Sequence, residues 1–259
     1  MGSLISSSYV GSMTDAGAGC HTGCRGGVSM PRNNLGGDMT TNARVPAAEL
    51  TGAYGLMLKV AMKKMVGDVP DSAGVLWNHP AVFKDMMGFS RKSEKWDELD
   101  EGLGVLARMA AAAAVGCEAC LDLNYFMAHR RGLDEEKVRE VPAWRTSPVF
   151  TPLERRVMAY ADAMSQTPPA VTDEMSAQLL DELGASALVE LAARVAVMNM
   201  AARMNRALGI RSEEYAAACG LRPLADRQLA DHEGSSQENG GKQTAHDAAP
   251  VSAAVGSRA

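Results

Sequence analysis

Aromatic residues are scarce in this sequence and acidic residues outnumber basic ones, and each of these facts limits the kinds of protein it can be. Phe, Trp and Tyr together make up 5% of the 259 residues, whereas alanine, leucine and methionine are abundant. This composition favours closely packed helices over β-sheets, whose strands are enriched in aromatic and β-branched residues. A hydrophobic content of 46% can fill a substantial core. We therefore expect an all-α protein.

The absence of a net positive charge and of long apolar runs excludes two classes of partner. The net charge is -5 and the pI is about 5.6, whereas binding the phosphates of a nucleic acid needs a basic surface. No run approaches the roughly 20 apolar residues of a membrane span, and the first residues lack the charged and apolar regions of a secretory signal. We expect no nucleic acid, no membrane span and a cytoplasmic location.

Metal and cofactor motifs are also missing. The sequence has no glycine-rich phosphate loop after a strand and no H-E-x-x-H pair. Cys20, His21 and Cys24 bring soft ligands close together, but no second pair nearby completes a four-ligand zinc site. The start of the chain fits the pattern for N-myristoylation at Gly2, but so short a pattern also fits an unmodified tail. We expect no metal and no cofactor.

The two ends of the chain differ in composition from its middle. Residues 1–44 are rich in Gly, Ser, Thr and Asn without apolar periodicity, and residues 226–259 have a similar character. Such segments bury too little surface to offset the entropy of ordering, so we predict two disordered tails. Between them, apolar residues at helical spacing predict a single helical domain over residues 45–225. The expected helix starts lie near residues 50, 80, 97, 117, 134, 151, 172 and 186.

A run of five alanines leads into a pair of cysteines. The alanines at 110–114 leave no bulk on any side, which suits a buried central helix. Gly116 breaks the run, so Cys117 and Cys120 fall in the first turn of a new helix that reaches about residue 131. Residues three apart share a helix face, and the helix N-terminus lowers the pKa of a thiol there. The pair can therefore cycle between a dithiol and a disulfide.

Two other interpretations of the cysteine pair stay open. Free cysteine packs well as a small apolar residue, and two thiolates are half of a structural zinc site, although no second pair follows. The chain has five cysteines, an odd number, so a fully paired disulfide framework within one chain is excluded. In a reducing compartment this spacing is more typical of catalysis or metal binding than of a structural disulfide.

Several short stretches besides the cysteine pair follow one another in a recognisable order. They are the alanine-rich helix and residues 115–120 (VGCEAC), 132–138 (GLDEEKV), 151–155 (TPLER) and 199–209 (NMAARMNRALG). Together they resemble the carboxymuconolactone decarboxylase-like family, which includes the alkylhydroperoxidase D-like proteins. The resemblance covers roughly residues 44–221, nearly all of the predicted folded part.

The resemblance implies an all-α fold, assembly into a homo-oligomer and a dithiol that reduces hydroperoxides with electrons from a thiol reductant. By that resemblance Cys120 attacks the peroxide and Cys117 resolves the product. The family motif also has a glutamate before the cysteines and a histidine four residues after the second one. Here those positions are Val105 and Asn124. Neither can transfer a proton, so we expect weak activity.

Further polar residues are expected to line or support the site together with Asn124. Asp122 lies on the cysteine helix, on roughly the opposite side from the thiols. Asn199, Arg203 and Asn205 lie on the last long helix. A buried amide needs hydrogen-bond partners, so the two asparagines can equally tie this helix to a neighbour. Arg203 can anchor a carboxylate of the protein or of a substrate.

Two alternative functions remain. A lyase acting on a small carboxylate or lactone, like the enzyme that gives the family its name, needs an anchor for the carboxylate and a proton donor. Arg203 and His129 are the available candidates for these roles. A non-catalytic helical scaffold would keep the fold without the glutamate and the histidine.

Overall fold

A computed structural model of the chain describes residues 43–226. This part contains helices and no strand, which confirms the all-α prediction. The predicted tails lie outside it, apart from residues 43, 44 and 226. In chain order the helices are α1 (Gly52–Val66), α2 (Asp71–Trp77), α3 (Pro80–Ser93), α4 (Glu101–Val115), α5 (Glu118–Arg130), α6 (Glu135–Glu140), α7 (Pro152–Ser165), α8 (Asp173–Leu208) and α9 (Tyr215–Ala218).

Side chains cap the helices where the sequence predicts their starts. The ring of His79 accepts a hydrogen bond from the backbone at the start of α3, and the Asp100 carboxylate does the same for α4. At α7 the Thr151 hydroxyl accepts from the backbone N–H of Glu154, whose carboxylate accepts in return from the backbone of Thr151. Each cap satisfies a donor that a helix start leaves without a partner.

The structure contains two short helices that the sequence did not predict, and it confirms the predicted break within α8. The seven-residue α2 and the four-residue α9 are too short to show a helical period, and neither was predicted. Gly184 within α8 has a φ of 79° and a ψ of 166°, which are not helical, so α8 consists of two helices that meet at a kink. The chain therefore turns at Gly184, where the sequence predicts that one helix ends before another begins.

Helix α4 lies at the centre of the domain. It packs against α5, α7 and α8, and Ala107, Ala110, Ala111 and Ala112 on it are at most 1% exposed. Alanine side chains add little to the helix radius, so neighbouring helices approach closely on several sides. This confirms that the alanine run forms a buried central helix. A smaller apolar cluster around Trp77 packs α1, α2 and α3 together.

Helix α8 is long and apolar enough, by length and composition, to cross a membrane. Leu191, Val195 and Ala202 on it are fully buried in the core of the described part. It also carries Glu190 and Arg194, two buried charged residues that form an ion pair. Because a core helix can share the length and composition of a spanning helix, the absence of a membrane span remains a prediction.

We expect the protein to lose stability in acid. Burial by itself raises the pKa of the Glu190 carboxyl, but hydrogen bonds from Arg194 and two backbone N–H groups outweigh burial and lower the pKa. Burial likewise raises the pKa of the Glu154 carboxyl, but hydrogen bonds with Lys137 and Thr151 outweigh burial and lower the pKa. A carboxyl whose pKa is lowered by folding stabilises the protein above its ordinary pKa of 4.5, and this contribution is lost as the pH falls through the folded value.

Urea unfolding measured between about pH 7 and pH 3 tests this expectation. The urea concentration at the unfolding midpoint should decrease as the pH falls below about 4.5. In the Glu154→Gln variant this concentration should decrease less over the same pH range. A midpoint that does not change across this range would contradict the expectation.

Candidate functional site

The cysteine pair begins where α4 passes directly into α5. Gly116 has a φ of 74°, its N–H donates to the carbonyl of Ala113 at 3.0 Å, and the N–H of Cys117 donates to the carbonyl of Ala112 at 2.9 Å. These two bonds form a Schellman motif that ends α4. Cys117 is also the N-cap residue of α5. The first thiol is thus held at the junction of two helices by backbone contacts.

Cys117 and Cys120 are joined by a disulfide, with their Cα atoms 5.3 Å apart. Both residues are buried, with 1% of Cys117 and 5% of Cys120 exposed. The Cys117 sulfur accepts a hydrogen bond from the backbone N–H of Cys120 at 3.3 Å. This donor favours negative charge on Cys117 once the disulfide is reduced.

Asn205 brings a polar group from α8 to the second sulfur. Its amide nitrogen lies 3.5 Å from the Cys120 sulfur and donates to it. Asn124, at the position of the family's histidine, instead donates its amide to the backbone carbonyl of Cys120 at 2.7 Å. Val105 is 2% exposed and belongs to the apolar core. The sulfur of Cys120 therefore has an amide donor beside it and no proton relay from these two positions.

The histidines of the described part have other partners. Within residues 43–226, His79 caps α3, and His129 lies 3.8 Å from the carboxylate of Glu135. Neither histidine in this range is hydrogen-bonded to a cysteine. The activation of a thiolate by imidazole, which the resemblance implies for the family, has no counterpart in these contacts.

Asp122 supports the cysteine helix from its other side. Its buried carboxylate accepts hydrogen bonds from the hydroxyl of Ser212 at 2.8 Å and from the backbone N–H groups of Tyr215 and Ala216, both at 2.9 Å. These bonds hold the segment that leads into α9 against α5. Three donors occupy the carboxylate, so its contacts are those of a structural clamp.

Asn199 and Arg203 connect α8 to the end of α7. The amide of Asn199 donates to the Ser165 hydroxyl at 2.9 Å. The guanidinium of Arg203 donates to the Ser165 carbonyl at 2.7 Å and to the Thr167 hydroxyl at 3.1 Å. Of the polar residues predicted on the last long helix, Asn205 alone is hydrogen-bonded to the cysteine pair within the described part of the chain.

A pocket of about 220 Å³ opens beside the start of α5. Sequence reasoning did not single out its arginines, because Arg44 is 162 residues from Arg206 in the sequence and no motif connects them. Its lining residues are Arg44, Glu118, Arg206, Gly209, Ile210 and Arg211.

The part of the chain that builds this site matches a known family. Residues 80–163, which run from the start of α3 into α7 and include both cysteines, match the model of the Carboxymuconolactone decarboxylase family. This part of the chain belongs to the carboxymuconolactone decarboxylase-like family. It is also 36% identical over 123 residues to the uncharacterized protein YnjA of Escherichia coli (strain K12). That match covers 48% of this chain and 66% of YnjA.

Solved structures share the fold of this family member at low sequence identity. The debrominase Bmp8 in its apo form is 20% identical with a TM-score of 0.59, over 70% of this chain and 97% of that one. A peroxidase-related protein from Ralstonia eutropha JMP134, described as an alkylhydroperoxidase AhpD core, is 19% identical with a TM-score of 0.59, over 67% and 94% of the two chains. These similarities confirm the alkylhydroperoxidase D-like fold.

Proposed function

We propose that this protein is a dithiol oxidoreductase of the alkylhydroperoxidase D-like type, which reduces hydroperoxides through Cys117 and Cys120. The observation that carries the proposal is the bonded cysteine pair at the start of α5. Membership of the carboxymuconolactone decarboxylase-like family supports it. So does the amide of Asn205, because a hydrogen bond donated to the Cys120 sulfur favours its thiolate.

The reaction balances in two steps. The Cys120 thiolate attacks one peroxide oxygen, so an S–O bond forms and the O–O bond breaks, leaving an alcohol and a sulfenic acid. The Cys117 thiol then attacks the Cys120 sulfur, and water leaves as the disulfide forms. Two thiols supply the two electrons that reduce the peroxide. We expect the first step to be slow, because Val105 and Asn124 stand where the family motif has proton-transferring residues.

The proposal also requires a thiol reductant that returns the disulfide to the dithiol. The lyase alternative has less support, since Arg203 donates to the backbone carbonyl of Ser165 and His129 lies next to Glu135. The homo-oligomer and the cytoplasmic location remain expectations.

The test is peroxide consumption by the reduced protein, followed by mass-spectrometric mapping of disulfides. We expect the Cys117–Cys120 disulfide to form, and the Cys120→Ser variant to consume tert-butyl hydroperoxide about 100-fold more slowly or not at all, because the attacking sulfur is gone. Cys219→Ser, on the segment after α9, is the matched control and should keep the original rate. Unchanged consumption by Cys120→Ser would refute the proposal, and the absence of any peroxide-dependent disulfide would favour the scaffold alternative.

A further inference from the structure

Three arginines line the pocket beside the cysteine pair. Arg44 comes from the segment before α1, Arg206 from the last turn of α8, and Arg211 from the chain just after α8. The only carboxylate of the lining belongs to the exposed residue Glu118. None of these four side chains forms a salt bridge with another residue of the described range 43–226.

Arg44 is fixed in place by the end of α8. One terminal nitrogen of its guanidinium donates to the carbonyl of Ala207 at 2.7 Å and to that of Arg206 at 3.2 Å, and its backbone N–H donates to the carbonyl of Leu208 at 2.8 Å. The other two guanidinium nitrogens make no hydrogen bond with any residue of the described part. Two nitrogens of a guanidinium that is already held in place therefore remain available to a further acceptor.

The charge of the pocket is opposite to that of the protein as a whole. Three guanidinium groups face one carboxylate there, whereas the whole chain carries a net charge of -5. A guanidinium presents several N–H donors in a plane, which matches the two oxygens of a carboxylate. A small carboxylate is thus the ligand class that both the charge and the donor geometry favour.

The pocket adjoins the cysteine pair through two of its lining residues. Glu118 lies between Cys117 and Cys120 in the first turn of α5. Arg206 directly follows Asn205, whose amide contacts the Cys120 sulfur at 3.5 Å. Neither cysteine lines the pocket, so these two chain neighbours are what place the pocket beside the pair.

We infer that this arginine pocket binds the carboxylate of the small molecule that reacts with the cysteine pair. The inference rests on the proposed function, because it names a recognition element for one of the two reactants. The carboxylate belongs either to the thiol reductant or to the hydroperoxide. If the bound molecule is the thiol reductant, its thiolate attacks a sulfur of the disulfide and breaks the S–S bond. A second thiol then attacks the mixed disulfide, so two thiols become one small disulfide while the protein becomes a dithiol.

The first arm of the test measures reduction of the protein's disulfide, preformed with diamide, by mercaptosuccinate and by its uncharged dimethyl ester. If the pocket binds the carboxylate of the reductant, Arg206→Gln and Arg211→Gln should each lower the rate of reduction by mercaptosuccinate about tenfold. The rate of reduction by the ester should not change. Glu118→Gln should raise the rate of reduction by mercaptosuccinate by a few-fold, since it removes a charge that repels the carboxylates of this thiol. Arg91→Gln, at an exposed position on α3, is the control.

The second arm measures oxidation of the reduced protein by linoleic acid hydroperoxide and by its methyl ester. If the arginine variants react more slowly with the charged thiol only, the pocket binds the reductant. If they react more slowly with the charged hydroperoxide only, the pocket binds the hydroperoxide. An equal loss for charged and uncharged probes, or no loss in either arm, would overturn the inference. The thiol arm begins from a preformed disulfide, so it gives a result even if the peroxidase proposal fails.

Discussion

Replacing Glu190 with leucine is expected to lower the free energy of unfolding by about 3–5 kcal/mol. One carboxylate oxygen accepts from Arg194 at 2.6 Å, and the other accepts from the backbone N–H groups of Glu98 and Leu99 at 2.8 and 3.2 Å. Arg194 in turn donates to the carbonyl of Trp96 at 2.5 Å. Removing the carboxylate leaves a buried guanidinium without its counter-ion and a buried N–H without an acceptor.

A double-mutant cycle separates the ion pair from the volume change. The double variant Glu190→Leu with Arg194→Met should be less destabilised than the sum of the two single variants, by about 1–3 kcal/mol, because no charge is then buried alone. Chemical denaturation of the four proteins gives the coupling energy directly. Strict additivity, or a loss below about 1 kcal/mol in Glu190→Leu, would show that this pair does not hold α8 to the chain before α4.

Replacing Asn124 with histidine is expected to raise the rate of peroxide-driven disulfide formation by about 100-fold. Asn124 lies four residues after Cys120, so the two side chains are neighbours on one face of α5. An imidazole there can accept the thiol proton, which the amide of asparagine cannot do. The gain should grow as the pH rises through about 6.5, because a general base must be neutral to act.

Asn124→Ala is the control for this gain, since it removes the bond to the Cys120 carbonyl without adding a base. The measurement is stopped-flow oxidation of the reduced proteins by tert-butyl hydroperoxide at several pH values. If Asn124→His reacted no faster than Asn124→Ala, a missing base at this position would not be what limits the reaction.

The sequence alone determined the features of this protein that depend on near neighbours in the chain. The capping box at Thr151 and Glu154 is contained within four residues, and Gly116 with Cys117 defines the junction of α4 and α5 in the same way. Such hydrogen bonds connect groups a few residues apart, so they form wherever the local pattern is present. The spacing of Cys117 and Cys120 likewise predicted that the two thiols share a helix face.

Tertiary structure alone decided which distant residues meet at the cysteine pair. Asn199 and Asn205 are two amides on the same apolar helix. From the sequence, each could either line the site or connect this helix to a neighbour. Packing places Asn205 against the Cys120 sulfur and Asn199 against Ser165 on α7. The side of a long helix that meets each neighbour depends on how all the helices pack, and a period along one helix does not contain that information.

The arginine pocket has the same origin. Arg44 and Arg206 are 162 residues apart in the sequence and meet because the segment before α1 binds the end of α8. No local pattern predicts that the two residues meet, since a surface arginine has the same local sequence whether or not another segment brings it to a pocket. The sequence thus determined the helices and the reactive pair, and the packing of distant segments decided what surrounds that pair.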